Sequence, residues 1–282
     1  MFLFDSPSDA TAPPAAQTPL ANLNMFYFDM DHRPGFRHQK PALYLVADLF
    51  RAAYDGKREF VTDKPLACLS SKKRLYFSGY SFDQFDLDVL LYIARQMIRS
   101  RRGHVQIDMG ALLHSLKRRN DKAGRNRVQN SLTRLSAGRI DIAGKRYHYM
   151  TRLIDRLLID ERKQSCLVEP NEDVCAALGK RLGQSLDPKD RLLLDRNGLA
   201  NWLHGVLAVF RGGFSSPVDL IQTLCGSTAK SFDVELSNAL DLLMNAHVAS
   251  VTRIDDNRVC IGGPAACSGK IACGIFSEPV FS

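Results

Sequence analysis

The amino-acid sequence predicts an α+β protein in which one supersecondary unit occurs twice, and three observations carry that expectation. Apolar residues recur at helical spacing in blocks that are separated by short alternating runs. The order of these blocks over residues 86–169 returns over residues 199–261. Positive charge gathers in the first copy: residues 95–163 hold 18 Lys and Arg against 6 Asp and Glu, whereas the rest of the chain holds 20 against 24.

Residues 1–22, with Pro7, Pro13, Pro14 and Pro19, bury too little apolar surface to offset ordering entropy and read as the start of a flexible arm. An aromatic island, NLNMFYF, occupies 22–28. Residues 74–83, RLYFSGYSFD, read as a strand pair broken at Gly79. From Asp86, Leu87, Leu90, Leu91, Ala94 and Ile98 fall on one helical face, ending near 101–103. HVQIDM, 104–109, is a short strand, and 110–116 is a short helix burying Leu112, Leu113 and Leu116. After a turn at 118–124, a longer helix runs to about 136 on Val128, Leu132 and Leu135. RIDIAG and KRYHYM alternate around the 143–144 turn as a hairpin, and 152–160 with 165–169 continue the strands.

In the second copy, Leu199, Leu203, Val206, Leu207 and Phe210 make the first helix, 216–218 the short strand and 219–224 the short helix. A turn at 226–231 leads to a helix over 232–246 on Leu236, Leu240 and Leu243, and 248–254 pairs with 258–261 across 255–257. Helix, strand, short helix, turn, longer helix, hairpin is the order of a winged helix-turn-helix. The expected architecture is therefore two tandem winged helix-turn-helix domains: arm 1–40, first domain 41–183, second domain 184–262, loose tail 263–282.

Composition bounds the function. The chain has 282 residues, 45% hydrophobic and 24% charged, with a net charge of +8, as in globular proteins. No run approaches 18 apolar residues and no basic segment precedes an apolar core at the start, so neither membrane spanning nor secretion is expected. Seven scattered cysteines do not form a disulfide framework, and a cytoplasmic location is expected. The focused positive charge suits a polyanion, because each phosphate neutralised by Lys or Arg releases condensed counterions.

In a helix-turn-helix the second helix enters the major groove, so its polar face must reach base edges while its apolar face packs. On the 124–136 helix the apolar stripe leaves Asn126, Gln129, Asn130 and Thr133 outward, with Arg127 and Arg134 beside them. Asn and Gln can bond adenine and Arg can bond guanine in pairs. Arg118, Arg119, Lys122 and Arg125 precede them where phosphates would pass, and Lys145 and Arg146 take the tip of the expected first wing. In the second copy Asp233, Glu235 and Asp241 would repel phosphate, with Lys230 at the helix entrance and Arg253 and Arg258 on the wing. That unit either binds DNA through its wing and helix start or contacts protein.

Catalytic patterns fail. None of the seven histidines forms a His-x-His pair near a Tyr nucleophile, as a metal-dependent nicking enzyme requires. Gly263 to Gly269-Lys270 has one residue too many for a phosphate loop, and Ile271 stands where magnesium needs Ser or Thr. Cys260, Cys267 and Cys273 lack a close CxxC pair. No enzyme activity, cofactor or metal is expected.

Three segments resemble a known family, the TrfA-like plasmid replication initiators that bind origin repeats called iterons. YFSGYSFDQFDLDVLLYIA at 76–94 resembles that family's strand, Gly turn and Asp-led first helix. NSLTRLSAG at 130–138 resembles its recognition-helix end, and LIQTLCGS at 220–227 its second short helix and turn. The resemblance implies an initiator that opens an adjacent A·T-rich segment and recruits host DnaA, replicative helicase and the β sliding clamp. NLNMF is similar to the family's clamp peptide, Gln-Leu-x-Leu-Phe: Leu23 and Phe26 match, Met25 stands for Leu and Asn22 for Gln. The same island could instead be a strand packed on the first domain. A transcriptional repressor with a dimerising second unit is the alternative, as a homodimer on a palindrome rather than on tandem repeats.

Overall fold

The structure, a computed structural model, describes residues 45, 47–52, 58–67, 74–100, 103–143, 148–176, 178, 186–194, 196–210 and 213–263. The expected arm with Asn22, Leu23, Met25 and Phe26, the turn residues Lys145 and Arg146, and the tail from 264 lie outside the described residues.

The first half runs β1 (Phe50–Arg51), β2 (Phe60–Leu66), β3 (Arg74–Tyr80), β4 (Phe82–Asp83), α1 (Gln84–Ser100), β5 (Val105–Asp108), α2 (Met109–Ser115) and α3 (Lys122–Ala137). It continues with β6 (Arg139–Ala143), β7 (His148–Arg152), β8 (Ile154–Asp160), β9 (Ser165–Pro170) and α4 (Glu172–Ala176). The second half is α5 (Pro188–Leu193), α6 (Gly198–Val209), β10 (Phe214–Pro217), α7 (Val218–Cys225), α8 (Phe232–Asn245), β11 (Val251–Asp255) and β12 (Arg258–Gly262). Among the described residues this is a mixed arrangement of helices and small sheets.

The two halves repeat one strand order. In the first the sheet is β5-β9-β8 and in the second β10-β12-β11, so each short strand before a helix pair bonds the second strand of the later hairpin. The hairpin expected at 139–150 does form, as β6 and β7, but it extends a different sheet, β2-β3-β6-β7. β5 bonds β9, and β8 lies beyond β9 in the same sheet. The β6–β7 hairpin is thus not part of the sheet that holds β5. The hairpin in that sheet is β8–β9, closed by a four-residue turn that carries Arg162 and Lys163.

Gly79 does not break the first strand. β3 passes through it at φ +149°, where a Cβ would lie 2.9 Å from the Phe77 ring and 3.0 Å from the Gly138 Cα. Only glycine allows β3 to run this close to the end of α3. The break falls at Ser81, and a reciprocal cap follows. Asp83 Oδ1 accepts from the Phe85 and Asp86 N–H groups at 2.9 and 3.0 Å, while Asp86 Oδ2 accepts from the Asp83 N–H at 3.0 Å.

The core spans both halves. Val128, Leu132 and Leu135 of α3 are fully buried, as are Leu87, Leu90, Leu91, Leu199, Leu203 and Leu236. Each such side chain stabilises by about 1.5–3 kcal/mol relative to exposure. The halves are joined by Arg191 of α5, whose side chain is 4% exposed. It donates to Asp88 Oδ1 at 2.5 Å, to Gln84 Oε1 at 3.0 Å and to the Asn201 carbonyl at 3.0 Å, linking α1 to α6. β1 adds a second join: the Phe50 carbonyl accepts from Gln84 Nε2, and the Ala52 N–H donates to the Cys225 carbonyl at 2.8 Å. No described helix is long and apolar enough to cross a membrane.

Candidate nucleic-acid interface

α3 begins two residues earlier than periodicity suggests, because Asp121 caps it by accepting from the Gly124 N–H at 2.7 Å. Its apolar stripe packs on the core, and its opposite face carries Lys122, Asn126, Asn130 and Thr133, all exposed. These four stand at i, i+4, i+8 and i+11, one line along the helix. The Thr133 hydroxyl donates to the Gln129 carbonyl at 2.9 Å, which leaves its oxygen free to accept.

The side chains flanking this line are engaged elsewhere. Arg134 was expected beside the reading face; instead its Nη2 donates to Asp86 Oδ1 at 2.6 Å and its Nε to Asp86 Oδ2 at 3.3 Å. Asp86 is fully buried, so the guanidinium neutralises an interior charge rather than facing solvent. Arg58 donates to the same carboxylate at 3.1 Å and also pairs with Asp83. Arg127 is exposed but lies over the Phe85 ring, 4.3 Å from its centroid. On the other flank Gln129 reaches Glu161 Oε1 at 3.4 Å, and Arg125 donates to Asn120 Oδ1 at 2.8 Å.

Arg119 and Lys122 are exposed at the start of α3. Arg118 is half-buried with its Cζ 5.9 Å from the Phe85 centroid. Burial first, then the neighbouring Arg196 and Arg127 charges, pull its guanidinium below the ordinary arginine range.

The sequence reading missed Arg162 and Lys163. Both are exposed, and Asp160 Oδ1 accepts from their N–H groups at 3.1 and 3.0 Å, shaping the turn. The Met109 N–H donates to the Gln164 carbonyl at 3.1 Å, tying that turn to the first residue of α2. Four successive polar residues, Glu161 to Gln164, between two strand-like runs were the available signal. The longer-range pairing of β5 with β9 gives this turn the same place in strand order as the turn between β11 and β12.

In the second half Lys230 is exposed before α8, Arg253 pairs with Asp255, and Arg258 donates to Ser215 Oγ at 3.4 Å. Glu235, expected outward, accepts instead from the Ser227 hydroxyl at 2.8 Å and closes the turn before α8. The exposed face of α8 keeps Asp233 and Asp241, with Val234 62% exposed between them in sequence. Cys166, Cys175 and Cys225 are buried, which pushes their thiols up to about 11, about 12 and about 12 respectively. Among the described residues no three His, Cys, Asp or Glu side chains stand together as metal ligands.

Among solved structures, selenomethionine derivatives of domain 2 and domain 3 of RctB superpose with a TM-score of 0.56 at 10% identity, covering 79% of this chain and 98% of that one. The chain shares a fold with RctB domains 2 and 3. A second structure of RctB domains 2–3 gives a TM-score of 0.49 at 9% identity, covering 77% and 96%. No protein-family description and no curated protein matches the sequence. At this identity the likeness to RctB concerns the path of the chain, and the side chains that would touch a ligand are this protein's own.

Proposed function

We propose that the protein is a sequence-specific, non-enzymatic DNA-binding initiator of replication, built from two tandem winged helix-turn-helix units. The observation that carries this reading is the outward line of Lys122, Asn126, Asn130 and Thr133 on a capped helix, beside a basic turn at Arg162 and Lys163. Asn side chains present a donor and an acceptor together, as an adenine edge requires, while Lys122, Arg119, Arg162 and Lys163 flank them where phosphates pass. The likeness to RctB supports the initiator class rather than the TrfA-like family in particular. Plasmid iterons as the target, and DnaA, helicase and the β clamp as partners, extend this reading from the sequence resemblance.

The test is binding of the full chain to fragments of its own replicon's origin, at two salt concentrations and against random DNA. Tight, repeat-dependent binding with a steep salt slope is expected; weak binding without preference overturns the reading.

A repressor is the second reading, and the face of α8 favours it. Asp233 and Asp241 disfavour phosphate and the exposed Val234 suits a protein contact, as in a dimer on an inverted repeat. Footprints on tandem repeats support the initiator, and a footprint confined to a promoter palindrome supports the repressor.

A further inference from the structure

Phe85, Arg118, Arg127 and Arg196 line two adjoining recesses, of about 520 and about 510 Å³, between α1, α3 and the segment joining α5 to α6. Arg118 and Arg127 both lie against the Phe85 ring. Arg196 comes from the second half and donates to the Lys117 carbonyl at 2.8 Å, which brings it to the residue before Arg118. Lys117 and Arg196 both hold left-handed backbone, at φ 48° and 61°.

Among the described residues, the carboxylates that line these recesses are already engaged. Asp88 is paired with Arg191, Asp83 with Arg58, and Asp121 caps α3. Among the described residues no carboxylate forms an ion pair with Arg118, Arg127 or Arg196. Three like charges thus line adjoining recesses, a repulsion that an anion would relieve.

Resting on the reading of α3 as the DNA-contacting helix, we propose that this recess grips a backbone phosphate of bound DNA through Arg118, Arg127 and Arg196. The grip is a joint one. Arg196 is supplied by the second half, so a single phosphate contact ties both halves to the duplex, next to α3 and independently of base sequence. The join through Arg191 holds Arg196 in reach of the first half.

The experiment measures DNA affinity of the full chain across a salt series for wild type, Arg196→Gln and Arg196→Lys. Arg196→Gln is expected to weaken cognate and random DNA alike by several-fold and to flatten the log–log salt slope by about one phosphate, roughly 0.9. Arg196→Lys keeps the charge and is expected to keep the slope. Both variants alter the hydrogen bond to the Lys117 carbonyl, so their thermal midpoints should agree with each other and only the salt slope should separate them. If wild type binds DNA and Arg196→Gln keeps its slope and affinity, the proposal is overturned while the DNA-binding function stands. If inorganic phosphate raises the thermal midpoint of wild type alone and the DNA slope is unmoved, the recess takes a free anion, and the proposal again fails. A wild type without salt-dependent DNA binding overturns the functional reading itself.

Discussion

Arg134 of α3 grips Asp86 of α1 at two points, Nη2 on Oδ1 at 2.6 Å and Nε on Oδ2 at 3.3 Å. The carboxylate is fully buried and the guanidinium side chain is 16% exposed, so the pair is part of the interior. It fixes the last turns of α3 against the first turn of α1.

Removing Arg134 should therefore destabilise the fold more than it alters DNA choice. Arg134→Gln is expected to cost about 3 kcal/mol in urea unfolding, at the low end for a broken buried pair because Arg58 still faces Asp86. Burial and the Asp83 carboxylate push Asp86 up, against the pull of Arg134. Without that pull Asp86 binds a proton more readily in the folded state, so the loss should be larger at pH 8 than at pH 5. An equal loss at both would contradict a charged pair.

Asn126→Ala and Asn130→Ala should behave in the opposite way. Each side chain is exposed and makes no contact that holds the fold, so unfolding midpoints should stay within about 0.5 kcal/mol. Cognate binding should weaken by about 1–3 kcal/mol per lost base contact, with random DNA unaffected. Equal losses on both DNAs would remove these residues from the reading face.

For the turn between β8 and β9, the expected signature is non-specific. Ala at Arg162 and Lys163 together should lower affinity for every duplex and flatten the salt slope by roughly 2 units. Ala at Lys145 and Arg146 should flatten it less, and the reverse ranking would make Lys145 and Arg146 the phosphate contacts instead.

The buried thiols give an alkaline signature. Cys175 and Cys225 ionise only at about 12 in the folded chain, against about 8.5 when unfolded. A raised folded value contributes stability that is whole below the unfolded value and is lost as pH climbs toward 12. Stability should fall between pH 9 and 11, and Cys225→Ala should flatten that fall. A thiol reagent at pH 8 should leave Cys166, Cys175 and Cys225 unmodified until the chain unfolds.

Much of the fold was legible because its helices declare themselves locally. Val128, Leu132 and Leu135 repeat at helical spacing, although the Asp121 cap that starts α3 two residues earlier went unread inside a turn. Pairing between distant strands was not legible. The hairpin with the strongest turn signal, around Gly144, joins β3 rather than β5, a choice made by contacts across the chain that no local window contains. β2 was missed for a different reason: its exposure alternates irregularly across a register shift between Val61 and Lys64.

At the site, the outward line of α3 followed from periodicity, while the fate of its arginines did not. Arg134 and Arg127 carry the same charge and flank the same stripe, yet one meets a buried carboxylate and the other an aromatic ring. Those partners lie on α1, 48 residues away for Asp86 and Arg134 and 42 for Phe85 and Arg127.

α3 is anchored at both ends, by the Asp121 cap at its start and by Arg134 on Asp86 and Gly138 packed under Gly79 at its finish. A rod held at two points can neither tilt nor slide to follow an irregular groove. Whatever elastic adjustment a complex needs would fall to the nucleic acid, and base steps that kink readily would be favoured even where no side chain reaches them.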